Sequence, residues 1–150
     1  MKLDIFTDGA CSGNPGPAAI GVVIKNQEKT IKEISRSIGQ ATNNIAEYTA
    51  LIEGLREAKV LKADEILVTT DSELMYRQVI GDYKVKHENI KPLFEQVKHL
   101  CLGFKSVQVV HIPREQNAHA DRLVRRALKA SQGGRSDVFD VGEESPSSKG

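Results

Sequence analysis

Four acidic residues stand at positions in the sequence where a carboxylate could take part in chemistry. Asp8 and Asp71 each follow an apolar, β-branched stretch, Glu47 lies near the start of an amphipathic stretch, and Asp121 lies beside the last apolar stripe. Ligand sets made of carboxylate oxygens, without Cys or His, favour hard Mg²⁺ or Mn²⁺ over zinc. Two such ions about 3.5 to 4 Å apart suit phosphoryl hydrolysis, because they clamp both the attacking and the leaving oxygen.

Each of these acids also has a purely structural explanation. Asp8 and Asp71 could be turn or helix-capping residues, since Asp accepts backbone N–H groups at both kinds of site. The segment 44–47 has capping-box spacing, which would direct Glu47 back towards the start of its helix. Asp121, in the first turn of the last predicted helix, could simply complement the helix dipole.

Helical geometry favours the chemical interpretation for Glu47. Glu47 shares a helical face with a small apolar stripe, because successive helical residues are about 100° apart. The stripe consists of Ala50, Leu51, Gly54 and Ala58. A helix packs such a face on a sheet, so Glu47 points inward, where an unpaired carboxylate is costly and calls for a cation. Asp121 flanks a second stripe that can also turn towards the sheet; it consists of Ala120, Val124, Ala127 and Leu128. Clustered acids repel one another unless a divalent metal neutralises them.

Hydrophobic periodicity predicts the elements that position these acids. The element order is βββαβααβα, with strands near 3–7, 19–24, 31–38, 65–70 and 107–112 and helices near 44–59, 72–80, 91–102 and 117–130. A turn-rich stretch, 8–17, ends the first strand near Asp8, and Gly81 stops the second helix. Three meander strands followed by helix-separated strands predict an α/β fold with a mixed sheet, its later strands parallel and covered by helices.

Composition limits the class of protein. The chain has 150 residues, 39% of them hydrophobic, which is typical of one globular domain. It has no apolar run of about 18 residues and no secretory leader pattern, so we expect a cytoplasmic protein with no membrane partner. Cys11 and Cys101 lack the spacing of a zinc site or a disulfide framework.

The last twenty residues differ from the rest of the chain. Residues 131–150 are aperiodic and hold four acids and two bases, and we expect a disordered tail after a domain at 1–130. The domain then carries 19 bases and 16 acids, a net charge of +3. If metals neutralise the four candidate acids, the excess of +7 would meet a polyanion.

Four segments of the chain together resemble type 1 ribonuclease H, in that family's order and spacing. They are TDGACSGNPGPAAIGVVI (7–24), TNNIAEYTALIEGL (42–55), TDSELMYRQVIG (70–81) and PREQNAHADRLVRRAL (113–128). The resemblance covers 1–130. The segment 81–92 is short and the chain has no tryptophan, as in the subgroup that lacks a basic, Trp-containing protrusion.

The resemblance implies a five-stranded mixed sheet flanked by helices and hydrolysis of the RNA strand of RNA–DNA hybrids, with 5′-phosphate and 3′-hydroxyl products. It implies Mg²⁺ or Mn²⁺ as cofactor, two ions with substrate bound. The family's catalytic and metal-binding acids carry over onto Asp8, Glu47, Asp71 and Asp121. We expect a monomer whose partner is the hybrid, with no obligate protein partner.

Recognition of a hybrid requires contacts that distinguish 2′-hydroxyls from deoxyribose across the minor groove. By resemblance, the RNA side is lined by Gly9, Ala10, Cys11, Ser12, Asn14, Asn43, Asn44 and Ser72, and Thr42 belongs to a pocket for a DNA phosphate. An ordinary hairpin turn remains an equal explanation for the segment 13–16. Lys84, Lys86, His87 and Lys91 form either a small basic patch for the hybrid or a solvated connector.

In many relatives, a histidine in the loop before the last acid assists product release or proton transfer. The loop here is PREQN, and Arg114 is the candidate for that role because it is long, cationic and able to meet a departing phosphate. We expect His111 to be structural within the core and His119 to be an exposed helix residue. Two alternatives to ribonuclease H activity remain at this point: a non-catalytic hybrid-binding module, and a sister nuclease that acts on DNA.

Overall fold

A five-stranded mixed sheet forms the centre of the molecule. The computed structural model describes residues 1–134. The strands are β1 (Lys2–Cys11), β2 (Gly16–Asn26), β3 (Lys29–Ala41), β4 (Glu65–Thr70) and β5 (Ser106–His111), and they lie side by side in the order β3-β2-β1-β4-β5. β1, β2 and β3 form an antiparallel meander, while β4 pairs parallel to both β1 and β5. The predicted fold class and element order are confirmed.

Four helices cover the sheet: α1 (Asn43–Val60), α2 (Glu73–Ile80), α3 (Lys91–Cys101) and α4 (Ala118–Gly134), with a short 3₁₀ turn at Arg114–Gln116. Side chains alternate between the two faces of a strand. Ile5 and Val22 therefore pack with α1 in the main core, whereas Phe6 and Val23 pack against α4 on the other face. Because β2 is covered on both sides, its residues 19–24 are all buried, which explains the unbroken apolar run there.

The first strand is longer than predicted. β1 pairs with β2 as far as Cys11, so Gly9, Ala10 and Cys11 belong to a strand and not to a glycine-rich loop. Pairing overrides the turn-forming composition because Gly9 serves a packing purpose: a Cβ there would overlap the carbonyl oxygen of Ala46 in α1. The loop itself is reduced to residues 12–15 and contains a cis Asn14–Pro15 peptide bond.

The helix ends correct several expectations. Thr42 caps α1, because its side chain accepts the Ile45 N–H, so Glu47 is not part of a capping box. Ser72 caps α2 by accepting the Met75 N–H, which removes the capping interpretation of Asp71. Gly81 ends α2 with φ of 95°, as predicted.

The last helix continues past the predicted domain end. α4 reaches Gly134, so residues 131–134 belong to a helix and not to the expected tail. The remainder of that predicted tail, 135–150, lies outside the described residues. Between residues 1 and 134, no helix is long and apolar enough to cross a membrane. Cys11 and Cys101 are free thiols.

Candidate active site

Three carboxylates from separate elements meet beside β1 and β4, two neighbouring inner strands of the sheet. Asp8 lies within β1, Asp71 follows β4, and Glu47 lies near the start of α1. The parallel register pairs Thr7 with Thr70, so the two aspartates that follow them are neighbours across the sheet. One carboxylate oxygen from each acid can be chosen so that all three lie within 4.8 Å of one another. The convergence expected from the sequence is confirmed for these three acids.

Burial and mutual repulsion disfavour the charged forms of this cluster. Asp8 is 6% exposed and Glu47 is 9% exposed. Burial, followed by the charges of Asp71 and Asp121, raises the pKa of Asp8 to about 7. Burial and the charges of Asp8 and Asp71 also raise the pKa of Glu47 well above its usual value. The pKa of Asp71 is raised chiefly by burial, against the opposing effects of a hydrogen bond from Asn117 and the charge of Arg114.

The cluster has the chemistry of a site for a hard cation. The ligand atoms are all carboxylate oxygens, which is the donor set that Mg²⁺ and Mn²⁺ prefer. Within the part of the chain that the structure describes, the buried Glu47 Oε1 has no hydrogen-bond partner. A buried carboxylate oxygen without a donor is costly, and a divalent cation would satisfy it while neutralising the repulsion. Asp8, Glu47 and Asp71 therefore fit a metal.

Asp121 lies at the rim of the cluster and not among its three members. Its Oδ2 accepts a hydrogen bond of 2.9 Å from Arg125 Nε, one turn further along α4. Its Oδ1 lies 3.9 Å from Arg114 Nη2. Its charge nevertheless raises the pKa values of Asp8 and Asp71, so it faces the site. Its place in the first turn of α4 also suits the helix dipole, and the two interpretations are compatible.

Arg114 lies on the solvent side of the carboxylates. Its side chain is 78% exposed and sits in the 3₁₀ turn that precedes α4. Its positive charge lowers the pKa values of Asp8, Glu47 and Asp71, so the guanidinium acts on the whole cluster. An exposed guanidinium beside this cluster is available to an anion from solvent.

The two candidate histidines have different surroundings from those expected. His111 is exposed at the end of β5, and not buried in a core, because β5 is an edge strand of the sheet. Its ring stacks on Tyr76 of α2, with 5.7 Å between ring centroids. His119 is half-buried, with Nε2 2.6 Å from Glu33 Oε2, so it links α4 to β3.

Several residues predicted to contact RNA lie together beside the start of α1. The Cys11 N–H donates to Asn43 Oδ1 at 3.0 Å, and the Asn43 N–H donates to Asn14 Oδ1 at 3.1 Å. The Ser12 N–H donates to the Pro17 carbonyl, which closes the short loop. Ser72 stands apart from this group, at the start of α2 next to Asp71. The predicted residues thus fall into two groups, one at the start of α1 and one at the start of α2.

Sequence reasoning missed Asn117. This residue is 2% exposed, and its Nδ2 group donates to the Thr7 carbonyl and to Asp71 Oδ2, both at 2.9 Å. An Asn directly before a helix is a recognisable capping signal. The signal does not reveal that the amide reaches two other elements, because those contacts exist only in the folded chain.

Comparison with known proteins identifies the family of this chain. A sequence model of the family described as Reverse transcriptase-like matches residues 6–127. A protein named Ribonuclease H from Geotalea uraniireducens is 44% identical over 149 residues, and the match covers 89% of this chain and 98% of that protein. The chain belongs to the ribonuclease H family. The resemblance recognised from its four motifs is confirmed.

Solved ribonuclease H structures share the fold. The structure of LC11-RNase H1 in complex with RNA/DNA hybrid superposes with a TM-score of 0.83 at 43% identity, covering 87% of this chain and 99% of that one. RNase H1 from Halobacterium salinarum gives 0.84 at 35% identity, covering 86% and 98%. The Bifunctional protein Rv2228c of Mycobacterium tuberculosis is 40% identical over 156 residues. That match includes the whole of this chain but only 43% of the longer relative.

Proposed function

We propose that this protein is a metal-dependent endoribonuclease that hydrolyses the RNA strand of RNA–DNA hybrids and leaves 5′-phosphate and 3′-hydroxyl ends. The observation that carries the proposal is the convergence of the buried Asp8 and Glu47 with the half-buried Asp71, with Asp121 at their rim. A relative of 43% identity whose structure contains an RNA/DNA hybrid supports the same substrate here.

The four acids have distinct tasks in this proposal. Asp8, Glu47 and Asp71 would hold a divalent cation, and Asp121, at the rim of the cluster, would add a fourth carboxylate to the ligand set. A pair of Mg²⁺ or Mn²⁺ ions held by these residues would supply a clamp on the attacking and leaving oxygens. The low-dielectric position of Asp8 and Glu47 strengthens their hold on a dication.

Arg114 is proposed to contact the phosphate at the cleavage point. Its guanidinium is exposed and lies near Asp121, where it offers several N–H donors to a phosphate oxygen. When the product leaves, the same group can follow the phosphate outward because it is carried by a short turn and not by a long helix.

The RNA strand is proposed to lie along Gly9–Cys11, Ser12, Asn14, Asn43, Asn44 and Ser72. Within residues 1–134, the Nδ2 groups of Asn14 and Asn43 make no hydrogen bond, so they are available to 2′-hydroxyls. Asn44 Oδ1 is buried without a partner in the same part of the chain, so its side chain would have to rotate to accept from a hydroxyl. The basic residues of segment 84–91 are exposed, and whether they bind the hybrid stays a prediction.

Thr42 is proposed to grip a phosphate of the DNA strand. Its hydroxyl oxygen accepts the Ile45 N–H, which leaves the hydroxyl hydrogen free to donate to a phosphate oxygen. All these residues belong to one chain, which supports action as a monomer. The free thiols of Cys11 and Cys101 suit a reducing compartment, and the cytoplasm is the proposed location.

A cleavage assay tests this proposal. The full chain is incubated with Mg²⁺ or Mn²⁺ and an RNA–DNA hybrid labelled on either strand, beside duplex DNA and duplex RNA of the same sequence. We expect cleavage of the hybrid's RNA strand only, with fragments that carry 5′-phosphates. Binding of the hybrid without any cleavage would identify a binding module, and equal cleavage of duplex DNA would identify a DNA nuclease; either result contradicts the proposal.

A further inference from the structure

The side chain of Asn117 uses both of its amide hydrogens on the machinery of the site. One is donated to the carbonyl of Thr7, the residue before Asp8, and the other to Asp71 Oδ2, each over 2.9 Å. With 2% exposure, this amide has no water to replace either bond. One acceptor lies on β1 and the other directly after β4, so one planar group connects the backbone before Asp8 with the carboxylate of Asp71.

The backbone of Asn117 is held at the same point. Its N–H donates to the Arg114 carbonyl at 2.9 Å, and its carbonyl accepts the Asp121 N–H at 3.1 Å. The residue therefore joins the turn that carries Arg114 to the helix that carries Asp121. Side chain and backbone together connect Thr7, Asp71 and the segment 114–121, which are three stretches far apart in sequence.

The side-chain oxygen of Asn117 indicates that this residue does more than stabilise the fold. In the described part of the chain, the buried Asn117 Oδ1 has no hydrogen-bond partner. Buried polar atoms are almost always paired, and an orphan acceptor destabilises a fold. An apolar side chain of similar shape would remove the orphan acceptor but would leave the Thr7 carbonyl and Asp71 Oδ2 without their donor, so what the amide contributes is its two donated hydrogen bonds.

We propose that Asn117 is a positioning residue that orients the Asp71 carboxylate for divalent-cation binding. This inference rests on the proposed nuclease function. One oxygen of Asp71 can lie within 4.8 Å of an oxygen of both Asp8 and Glu47, and the fixed Nδ2 donor of Asn117 restricts rotation of the Asp71 carboxylate by holding its Oδ2. Oδ1 of Asp71 takes no part in that bond and is left available to a cation. Partners of metal-binding carboxylates act on affinity in this way without touching the metal.

The test compares two substitutions in the full chain. Asn117→Leu keeps the approximate shape of the side chain and removes both donors, and Asn117→Ala removes the side chain in case leucine disturbs the packing. Mn²⁺ binding is measured by isothermal titration calorimetry without substrate, and hybrid cleavage is measured under saturating and limiting hybrid. We expect Mn²⁺ affinity and kcat each to fall about 10- to 100-fold, with KM for the hybrid changed by less than about threefold.

Gln78→Leu provides the matched control. Gln78 is also a buried amide, with 7% exposure, and its Oε1 accepts a 2.9 Å hydrogen bond from the Tyr48 hydroxyl. This variant loses a buried hydrogen bond on α2 without a contact to the four acids. Its melting temperature should fall, while its Mn²⁺ affinity should equal that of the unmodified chain.

The outcomes separate this inference from the proposed function. If the unmodified chain neither binds Mn²⁺ nor cleaves the hybrid, the proposed function is wrong and the role of Asn117 falls with it. If the unmodified chain does both, and the Asn117 variants lose melting temperature as the control does but keep Mn²⁺ affinity, then Asn117 is only structural and the inference is overturned. If Mn²⁺ binding is weaker in the Asn117 variants and not in Gln78→Leu, the result supports the inference.

Discussion

At the scale of single residues, the site brings together acidic side chains whose charged forms are disfavoured, at the place where the reaction is proposed to occur. Asp8 is held beside Glu47 and Asp71 in a buried position, and its pKa rises to about 7 as a consequence. Structural carboxylates usually have pKa values at or below their ordinary range, since their partners are donors or cations. A cluster with the opposite shift is arranged for a ligand and not for the stability of the free chain.

The first prediction concerns Asp8 and pH. Because its folded pKa lies above the usual 3.8, the metal-free folded chain binds this proton more tightly than the unfolded chain does. The contribution of Asp8 to the free energy of unfolding therefore falls as pH rises from about 4 to about 7. Asp8→Asn should abolish cleavage, and above pH 7 in EDTA it should be more stable than the unmodified chain by more than about 1 kcal/mol.

Urea denaturation across this pH range measures the effect. The difference between the two proteins should be small near pH 4 and should grow towards pH 7. Asp64, which pairs with the N-terminal amine at the surface, provides the contrast: its pKa is lowered, so Asp64→Asn should show no gain in stability. A stability advantage for Asp8→Asn that does not depend on pH would contradict the charge explanation.

The second prediction concerns Arg114. Arg114→Ala should lower kcat by about tenfold or more, because an exposed cation that meets the phosphate is lost. Mn²⁺ binding should persist, since the carboxylates are retained. Steady-state kinetics and calorimetry measure the two quantities. Arg126→Ala removes an exposed base from α4 and serves as control, and equal kinetic effects in both variants would remove Arg114 from the site.

At the scale of elements, the site depends on how closely α1 approaches β1. The Glu47 carboxylate reaches Asp8 because the start of α1 lies against the backbone of Gly9. Further along α1, Gly54 allows a similar approach, but a Cβ added there would meet a side-chain methyl of Ile5 at 3.0 Å. A methyl group can shift, whereas a carbonyl held in a helix moves only with the helix.

The third prediction follows from that contrast. Gly9→Ala should destabilise the chain by about 2 kcal/mol or more and lower Mn²⁺ affinity, because α1 must retreat from β1. Gly54→Ala should cost less than about 1 kcal/mol, since improved helix propensity offsets a tight contact. Thermal denaturation and Mn²⁺ titration of both variants measure this. Equal losses would show that the carbonyl contact at Gly9 is not decisive.

At the scale of the whole molecule, the five strands and four helices described above all lie within residues 1–134. The last packed element is α4, whose Val124, Ala127 and Leu128 lie against Ala19 of β2. Nothing in the sequence 135–150 has the periodicity needed to add to that core. We therefore expect the chain to fold and to cleave the hybrid without residues 135–150.

The fourth prediction tests this by truncation. Removal of residues 135–150 should leave the melting temperature and the cleavage rate of the hybrid unchanged within error. Removal of 127–150 should lower stability by about 2 kcal/mol or more, because Ala127 and Leu128 leave the core. Differential scanning calorimetry distinguishes these results. A large drop on removal of 135–150 alone would show that this segment packs on the domain.

The sequence by itself determined the element order and the four acids, because hydrophobic period, turn residues and motif spacing are local properties. It also indicated that Glu47 points inward, since that follows from helical geometry alone. Tertiary structure decided the length of β1, the place of Asp121 at the rim, the exposure of His111 and the role open to Asn117. The Asn117 bond to Thr7 joins residues 110 positions apart. No local pattern encodes such a contact, because it depends on how β1 and the start of α4 pack together.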